Sequence, residues 1–240
     1  ITTKQWKGGL KHMLKISTHK FIMTKIVKDI YSDISISSTL GFKGGTALYF
    51  FYDIPRFSVD LDFDLLDESK KDTVFKHITK IVSTYGELQE NREKYFTLFW
   101  LVRYEKGIHH IKVEVSKRSS GNHYEIKNYL GIPALVMKKE DMFANKLTAL
   151  LDRKRLANRD IFDIWFMLNS HWDVNEELLK MRTKTEPKKY LQNCLRFLEK
   201  KAPIHILDGM GKLLDNKMKE WVKKNLIKET IFLLRARYEM

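Results

Sequence analysis

Three aspartates at alternate positions, Asp60, Asp62 and Asp64, stand in the run Arg56-Phe57-Ser58-Val59-Asp60-Leu61-Asp62-Phe63-Asp64. Side chains alternate faces along a strand, so a strand here puts the three carboxylates on one side and Val59, Leu61, Phe63 and Leu65 on the other. Carboxylates gathered this way repel one another unless positive charge sits among them. Aspartate is also a poor strand former, so a merely solvated polar face is a costly explanation. Carboxylate oxygens suit hard cations such as Mg²⁺. Neighbouring carboxylates can hold two ions about 3.5–4 Å apart, the separation used in phosphoryl transfer. A further carboxylate comes from Ile111-Lys112-Val113-Glu114-Val115, a second alternating segment. If it lies beside the acidic strand, Glu114 can ligate metal or take the proton of an attacking hydroxyl; otherwise it is a surface glutamate next to Lys112.

Ahead of the acidic run lies Gly41-Phe42-Lys43-Gly44-Gly45-Thr46-Ala47-Leu48. Paired glycines allow a tight turn and close approach to a ligand. A helix starting at that turn aims free N–H groups at an anion. Gly44 and Gly45 therefore suit a triphosphate. Thr46 suits it as a hydroxyl donor, or serves equally as a helix N-cap. A second group lies downstream: Lys146, Arg153, Arg159, Asp160 and Asp163. Lys146 falls on the apolar stripe with Met142 and Phe143, so it either snorkels outward or points at phosphate. Asp160 fits the first turn of a helix, where anions are favoured, whereas Asp163 sits among apolar residues and is expected to pair with a basic residue or to orient one. Cys194, the single cysteine, has no histidine partner and reads as a buried thiol. The histidines show no metal-ligand spacing.

The elements that must position these residues follow from periodicity. Helices are expected over 4–31 and 69–85, with a short one from Thr46 to Tyr52. Strands are expected over 35–42, 57–65, Tyr95–Tyr104 and His109–Val115, the last two joined by a turn at Glu105-Lys106-Gly107. From about Lys138 helical periods take over. The expectation is an α+β protein with an α/β core over 1–132 and a helical domain over 133–240, hinged near Pro133.

The 240 residues carry 44 Lys and Arg against 30 Asp and Glu, a formal charge of +14, with 43% hydrophobic residues. That composition supports a core and excludes a disordered chain. Residues 180–240 hold sixteen Lys and Arg against seven Asp and Glu, a basic region suited to a nucleic-acid backbone. A lone cysteine fits a reducing compartment. No apolar run approaches the roughly 18 residues of a membrane span. Ile1 to Lys15 are basic without the apolar core of a secretory signal, so a cytoplasmic location is expected.

Taken in order, Gly44-Gly45-Thr46-Ala47-Leu48, Arg56-Phe57-Ser58-Val59-Asp60-Leu61-Asp62, Lys146-Leu147-Thr148-Ala149-Leu150 and Arg159-Asp160-Ile161-Phe162-Asp163 resemble the AbiEii/AbiGii nucleotidyltransferase toxins, a family that includes the MenT toxins, within the DNA-polymerase-β-like superfamily. The resemblance covers roughly residues 40–170. It implies a polymerase-β-like core with a helical C-terminal domain, and transfer of a nucleoside monophosphate from an NTP with Mg²⁺, or Mn²⁺ in its place. It implies the 3′ end of tRNA as acceptor and a cognate antitoxin as partner. By position, Asp60 and Asp62 fall on the family's metal pair and Gly44 and Gly45 on its phosphate turn. Lys146 falls on its nucleotide-contacting lysine, Asp160 or Asp163 on its late essential aspartate, and Arg56 and Ser58 on the lead-in to the acidic strand. Glu114 stands as the third carboxylate. The same carboxylates would also serve a metal-dependent nuclease or phosphodiesterase, or a nucleotidyltransferase with a small-molecule acceptor. A basic nucleic-acid-binding module without catalysis is the remaining alternative.

Overall fold

The computed structural model describes residues 3–105, 109–119, 121–153, 156–201 and 203–239; side chains are described from Ile16 onward, except at 105, 109, 238 and 239. The expected turn at Glu105-Lys106-Gly107 lies, past Glu105, outside the described residues, as do the side chains of Ile1–Lys15. The chain divides into two compact units. One comprises 1–51, 59–120 and 124–136; the other comprises 52–58, 121–123 and 137–240. The second therefore takes in two short excursions that no contiguous division of the sequence contains.

The first unit is built on a seven-stranded mixed sheet in the order β3-β4-β5-β2-β1-β7-β6. Its strands are β1 (Leu40–Lys43), β2 (Asp60–Leu65), β3 (Glu87–Glu93), β4 (Thr97–Glu105), β5 (His109–Ser116), β6 (Tyr124–Tyr129) and β7 (Ile132–Met137). β2 runs antiparallel to β1 and parallel to β5. The alternation works as the sequence suggests: Leu61, Phe63, Trp100, Val113 and Val115 are fully buried on one face. Two helices cover that face, α1 (Thr3–Ser32) and α3 (Lys71–Ser83), with α2 (Gly44–Phe51) between them in sequence. Met23, Ile26 and Ile30 of α1 and Val74, Ile78 and Val82 of α3 are buried. Trp100 Nε1 donates to Thr79 Oγ1 across this layer at 2.8 Å, which gives the largest core ring a partner for its one polar atom.

Several elements depart from expectation. Residues 37–39 form a 3-10 turn rather than strand. The amides of Ser35 and Ser37 bond to the Asp33 side chain and carbonyl, which draws this polar segment into a turn. Residues 57–59 are not strand, because the Phe57 amide is taken by the Leu213 carbonyl within the second unit. β3, β6 and β7 were not anticipated. Pro133 lies inside β7 instead of in a linker, ahead of Val136, which pairs with Phe42 of β1.

The second unit is helical: α4 (Lys139–Asp152), α5 (Asn158–Asn169), α6 (Glu176–Thr183), α7 (Pro187–Lys200) and α8 (Asn216–Glu239). Its core holds Phe143, Leu147, Phe162, Met167, Leu179, Leu198 and Leu226. Cys194 is buried among them, as expected, and burial pushes its thiol up to about 12. Among the described residues no helix is long and apolar enough to cross a membrane.

Candidate active site

Strand order decides what the acidic face becomes. β5 lies directly beside β2, in the register that pairs Asp62 with Glu114 and Asp60 with Lys112. Three carboxylates and one ammonium thus share a single patch of the sheet opposite the helical layer. Lys112 Nζ stands 3.2 Å from Asp60 Oδ2 and 3.1 Å from Glu114 Oε2. Burial works against the Lys112 charge, but the Asp60, Asp62 and Glu114 carboxylates outweigh it and hold the ammonium above the usual lysine value. Asp62 is shifted the other way: burial raises it, Lys112 pulls it back, and the neighbouring Asp60 and Glu114 carboxylates push it up again. The patch is therefore short of positive charge even with Lys112 in it. The alternation that puts Glu114 on this face puts Lys112, two residues away, on it as well.

Asp64 belongs to the acidic row but not to this charge-deficient patch. It is 1% exposed, pairs with Lys43 and accepts a hydrogen bond from the Tyr124 hydroxyl at 2.5 Å. Tyr124 reaches it across Gly41, where a methyl group would lie 2.1 Å from the ring. Gly44 has φ +78°, and a methyl there would lie 2.5 Å from Asp62 Oδ2. β1 passes straight into α2 at this residue, so the helix start abuts the Asp62 carboxylate. Thr46 is fully buried and its hydroxyl donates to the Asp60 carbonyl, which ties α2 to β2.

Among the described residues, no three carboxylate, histidine or cysteine groups close into a ready-made metal cage. The donor chemistry nonetheless fits Mg²⁺, which keeps several waters and takes one or two carboxylates plus substrate phosphates. Asp60, Asp62 and Glu114 supply an open, oxygen-only set with excess negative charge.

The second unit holds a separate ionic cluster. Asp163, with no exposed surface, receives Arg56 Nε at 2.5 Å and Nη2 at 2.7 Å, a bidentate fork. Lys146 Nζ lies 2.7 Å from Asp163 Oδ2 and 2.8 Å from Asp160 Oδ1. Arg153 Nε comes within 2.9 Å of Asp160 Oδ2 without the alignment of a hydrogen bond. Burial would raise the Asp163 pKa, but Arg56 and Lys146 overcome it and hold the carboxylate below the usual range. Burial would likewise lower Lys146, and Asp163 and Asp160 hold it above the lysine range. Arg56 is 3% exposed and committed to Asp163 and the Phe57 carbonyl, so it braces the helical unit. Asp160 and Asp163 are likewise buried, each against the Lys146 ammonium. Ser58 is buried as well. Lys146 keeps 16% of its side chain exposed, which leaves it the most accessible of the Lys146, Asp160 and Asp163 group.

A family model described as "Nucleotidyl transferase AbiEii toxin, Type IV TA system" matches residues 26–231, which span both units. The chain belongs to the AbiEii nucleotidyl transferase toxin family. It is thereby a nucleotidyltransferase of a toxin–antitoxin family, with a nucleotide substrate and an antitoxin counterpart. The AbiEii match extends the stretch in which the sequence motifs were found at both ends. Among solved structures, the fold is similar to JHP933 from Helicobacter pylori, at 21% identity and TM-score 0.66 over 94% of this chain and 92% of that one. It is also similar to a candidate nucleotidyltransferase from H. pylori, at 22% identity and TM-score 0.65 over 94% and 95%. At those identities the likeness is one of fold. A comparison with curated proteins gives no match.

Proposed function

We propose that this AbiEii-family enzyme transfers a nucleoside monophosphate from an NTP to the 3′ end of tRNA, with two Mg²⁺ ions held by Asp60, Asp62 and Glu114. The observation that carries the proposal is the pairing of Asp62 with Glu114 across adjacent parallel strands, with Gly44 pressed against Asp62. Bound there, the ions would neutralise the triphosphate and the charge that develops on the transferred phosphoryl group.

The chain's own residues do the rest. The glycine turn Gly44-Gly45 brings the start of α2, with its free backbone N–H groups, beside Asp62, where a triphosphate is received. A larger residue at Gly44 would fill the space the phosphate needs. Lys112 balances the carboxylates before substrate arrives. Glu114, placed two residues along the strand from Lys112, is the group that accepts the proton of the attacking hydroxyl. The acceptor oxygen then bonds to the α-phosphorus as the bond from that phosphorus to the pyrophosphate oxygen breaks. Lys146 contacts the nucleotide, as the family resemblance implies, with Asp160 and Asp163 fixing its ammonium. Most of the acceleration comes from positioning and charge neutralisation.

The test is to incubate the protein with Mg²⁺, each α-labelled NTP in turn, and total tRNA. Label in the tRNA band with one NTP supports the proposal and names the nucleotide. Metal-dependent shortening of the RNA with no NTP requirement would replace it with a nuclease. Label on a small molecule and none on RNA would move the acceptor to that class.

A further inference from the structure

The sheet face bearing the carboxylates continues past Glu114 toward the free edge at β3. Register fixes what lies along it. Lys43, Asp62, Glu114, Phe99 and Arg92 stand in one row across β1, β2, β5, β4 and β3, and directly paired residues point to the same side. The carboxylates are thus succeeded, strand by strand, by an aromatic ring and an arginine. Lys94 Nζ lies over that ring, 3.4 Å from the Phe99 centroid.

One step along β4, Thr97 pairs with Ser116, and Ser116 with Asp64. Just before Thr97, the turn between β3 and β4 carries Tyr95 and Phe96. Their rings meet edge to face with centroids 4.4 Å apart. Tyr95 is 85% exposed and Phe96 46%. The Arg118 guanidinium stands 4.2 Å from the Phe96 centroid. The turn is fastened beneath: the Lys94 amide donates to the Thr97 carbonyl at 2.7 Å and the Lys117 amide to the Phe96 carbonyl at 2.9 Å. Glu90 pairs with Arg92, and Glu93 with Lys71 and Lys117. Lys94 and Arg118 therefore add positive charge beyond what those two carboxylates answer.

Two large rings held in water by an anchored turn, with cations on neighbouring ring faces, form a surface that presents π-faces and positive charge together. That combination matches unpaired bases on a phosphate backbone: each base has a face to stack, and each phosphate a charge to meet. A duplex buries its base faces and cannot use it. We propose that the Tyr95–Phe96 turn is a stacking platform for the unpaired end of an RNA acceptor. Bases lie on the two rings, Lys94 and Arg118 meet the phosphates, and the strand runs along the sheet face toward Glu114. The choice of RNA rests on the transfer proposal above; the stacking surface does not.

The experiment measures fluorescence anisotropy of a labelled unpaired 12-nucleotide RNA, the same RNA in a blunt duplex, and the corresponding DNA strand. Each is titrated against full-length Asp62→Asn protein, which leaves binding separate from chemistry, and against the same protein with Tyr95→Ala and Phe96→Ala. The expected result is preference for the unpaired RNA and a loss of at least about tenfold in the doubly substituted protein. Tyr95→Phe with Phe96→Tyr should retain affinity, and Arg118→Ala should weaken binding and flatten its salt dependence. Circular dichroism confirms the fold of each variant. Equal affinity with and without the two rings overturns the platform. So does an equal loss for duplex, or self-association through the rings by sedimentation with RNA affinity unchanged. Tighter binding of the DNA strand overturns the choice of RNA. Ring-dependent binding without transfer to any RNA leaves the platform standing and removes the transfer proposal. Equal labelling of RNA by proteins with and without the rings does the reverse.

Discussion

Gly44 and Asp62 compete for the same space: a methyl group on Gly44 would stand 2.5 Å from Asp62 Oδ2, at a residue whose φ is +78°. Both facts bear on Gly44→Ala. The left-handed backbone costs about 1–2 kcal/mol for a residue with a side chain. The clash then displaces the carboxylate meant to hold metal. The expected outcome is a folded protein, modestly less stable by denaturant titration, whose transfer rate falls at least about 100-fold. Gly45→Ala, at a residue whose backbone lies outside the left-handed region, should cost far less.

Among the described residues, Lys112 is the cation that contacts both Asp60 and Glu114. Lys112→Met should lower the melting temperature in EDTA, by the equivalent of about 1–3 kcal/mol, because the carboxylates then repel without compensation. Added Mg²⁺ should raise it by more than it raises the wild type. Scanning fluorimetry across a metal titration reads both effects. An equal metal-induced shift in the two proteins would mean that metal does not bind among these carboxylates.

The Arg56–Asp163 fork is fully buried, and Lys146 depends on the same aspartate. Asp163→Ala strands the buried Arg56 and takes one of the two carboxylates from Lys146, and should destabilise the protein by about 3–5 kcal/mol. Arg56→Ala and Asp163→Ala together should cost clearly less than the sum of the two single changes, which chemical denaturation can establish.

The same pair sets a pH dependence. The Asp163 pKa is held below its ordinary value of 3.8 in the folded protein. Its stabilisation is therefore fully present above that value and lost as pH falls through the lower, folded one. The stability difference between wild type and Asp163→Asn should be flat from about pH 5 to 7 and shrink below about pH 4. Urea melts across that range give the curve.

The acidic strand was legible because its physics is local. The alternation of Asp60, Leu61, Asp62 and Phe63 fixes both the strand and its two faces, and the Gly44-Gly45 pair announces the turn before it. What Glu114 and Lys112 contribute was not legible in the same way, since it depends on β5 lying beside β2 with about 50 residues of chain between them. The edge strand β3, Glu-Leu-Gln-Glu-Asn-Arg-Glu, went unseen because an edge facing water needs no apolar alternation. Arg56 looked like part of the nucleotide site because of its place just before the acidic strand. Its partner, Asp163, is 107 residues away, and no spacing within the sequence reports such a pair. For Asp163 the local sequence does carry a signal, since a lone carboxylate among Ile161, Phe162 and Ile164 is costly and suggests a basic residue that it pairs with or orients.

On the proposed function, the β2 and β5 carboxylates carry metal-dependent nucleotidyl transfer. The most direct test follows α-label from NTP into tRNA, and pyrophosphate release alongside it, for wild type, Asp62→Asn and Glu114→Gln, with Mg²⁺ and with EDTA. The expected result is one pyrophosphate per label transferred by the wild type, abolition by EDTA, and a loss of about 1,000-fold or more in Asp62→Asn without loss of fold. Transfer by Asp62→Asn at the wild-type rate would contradict it.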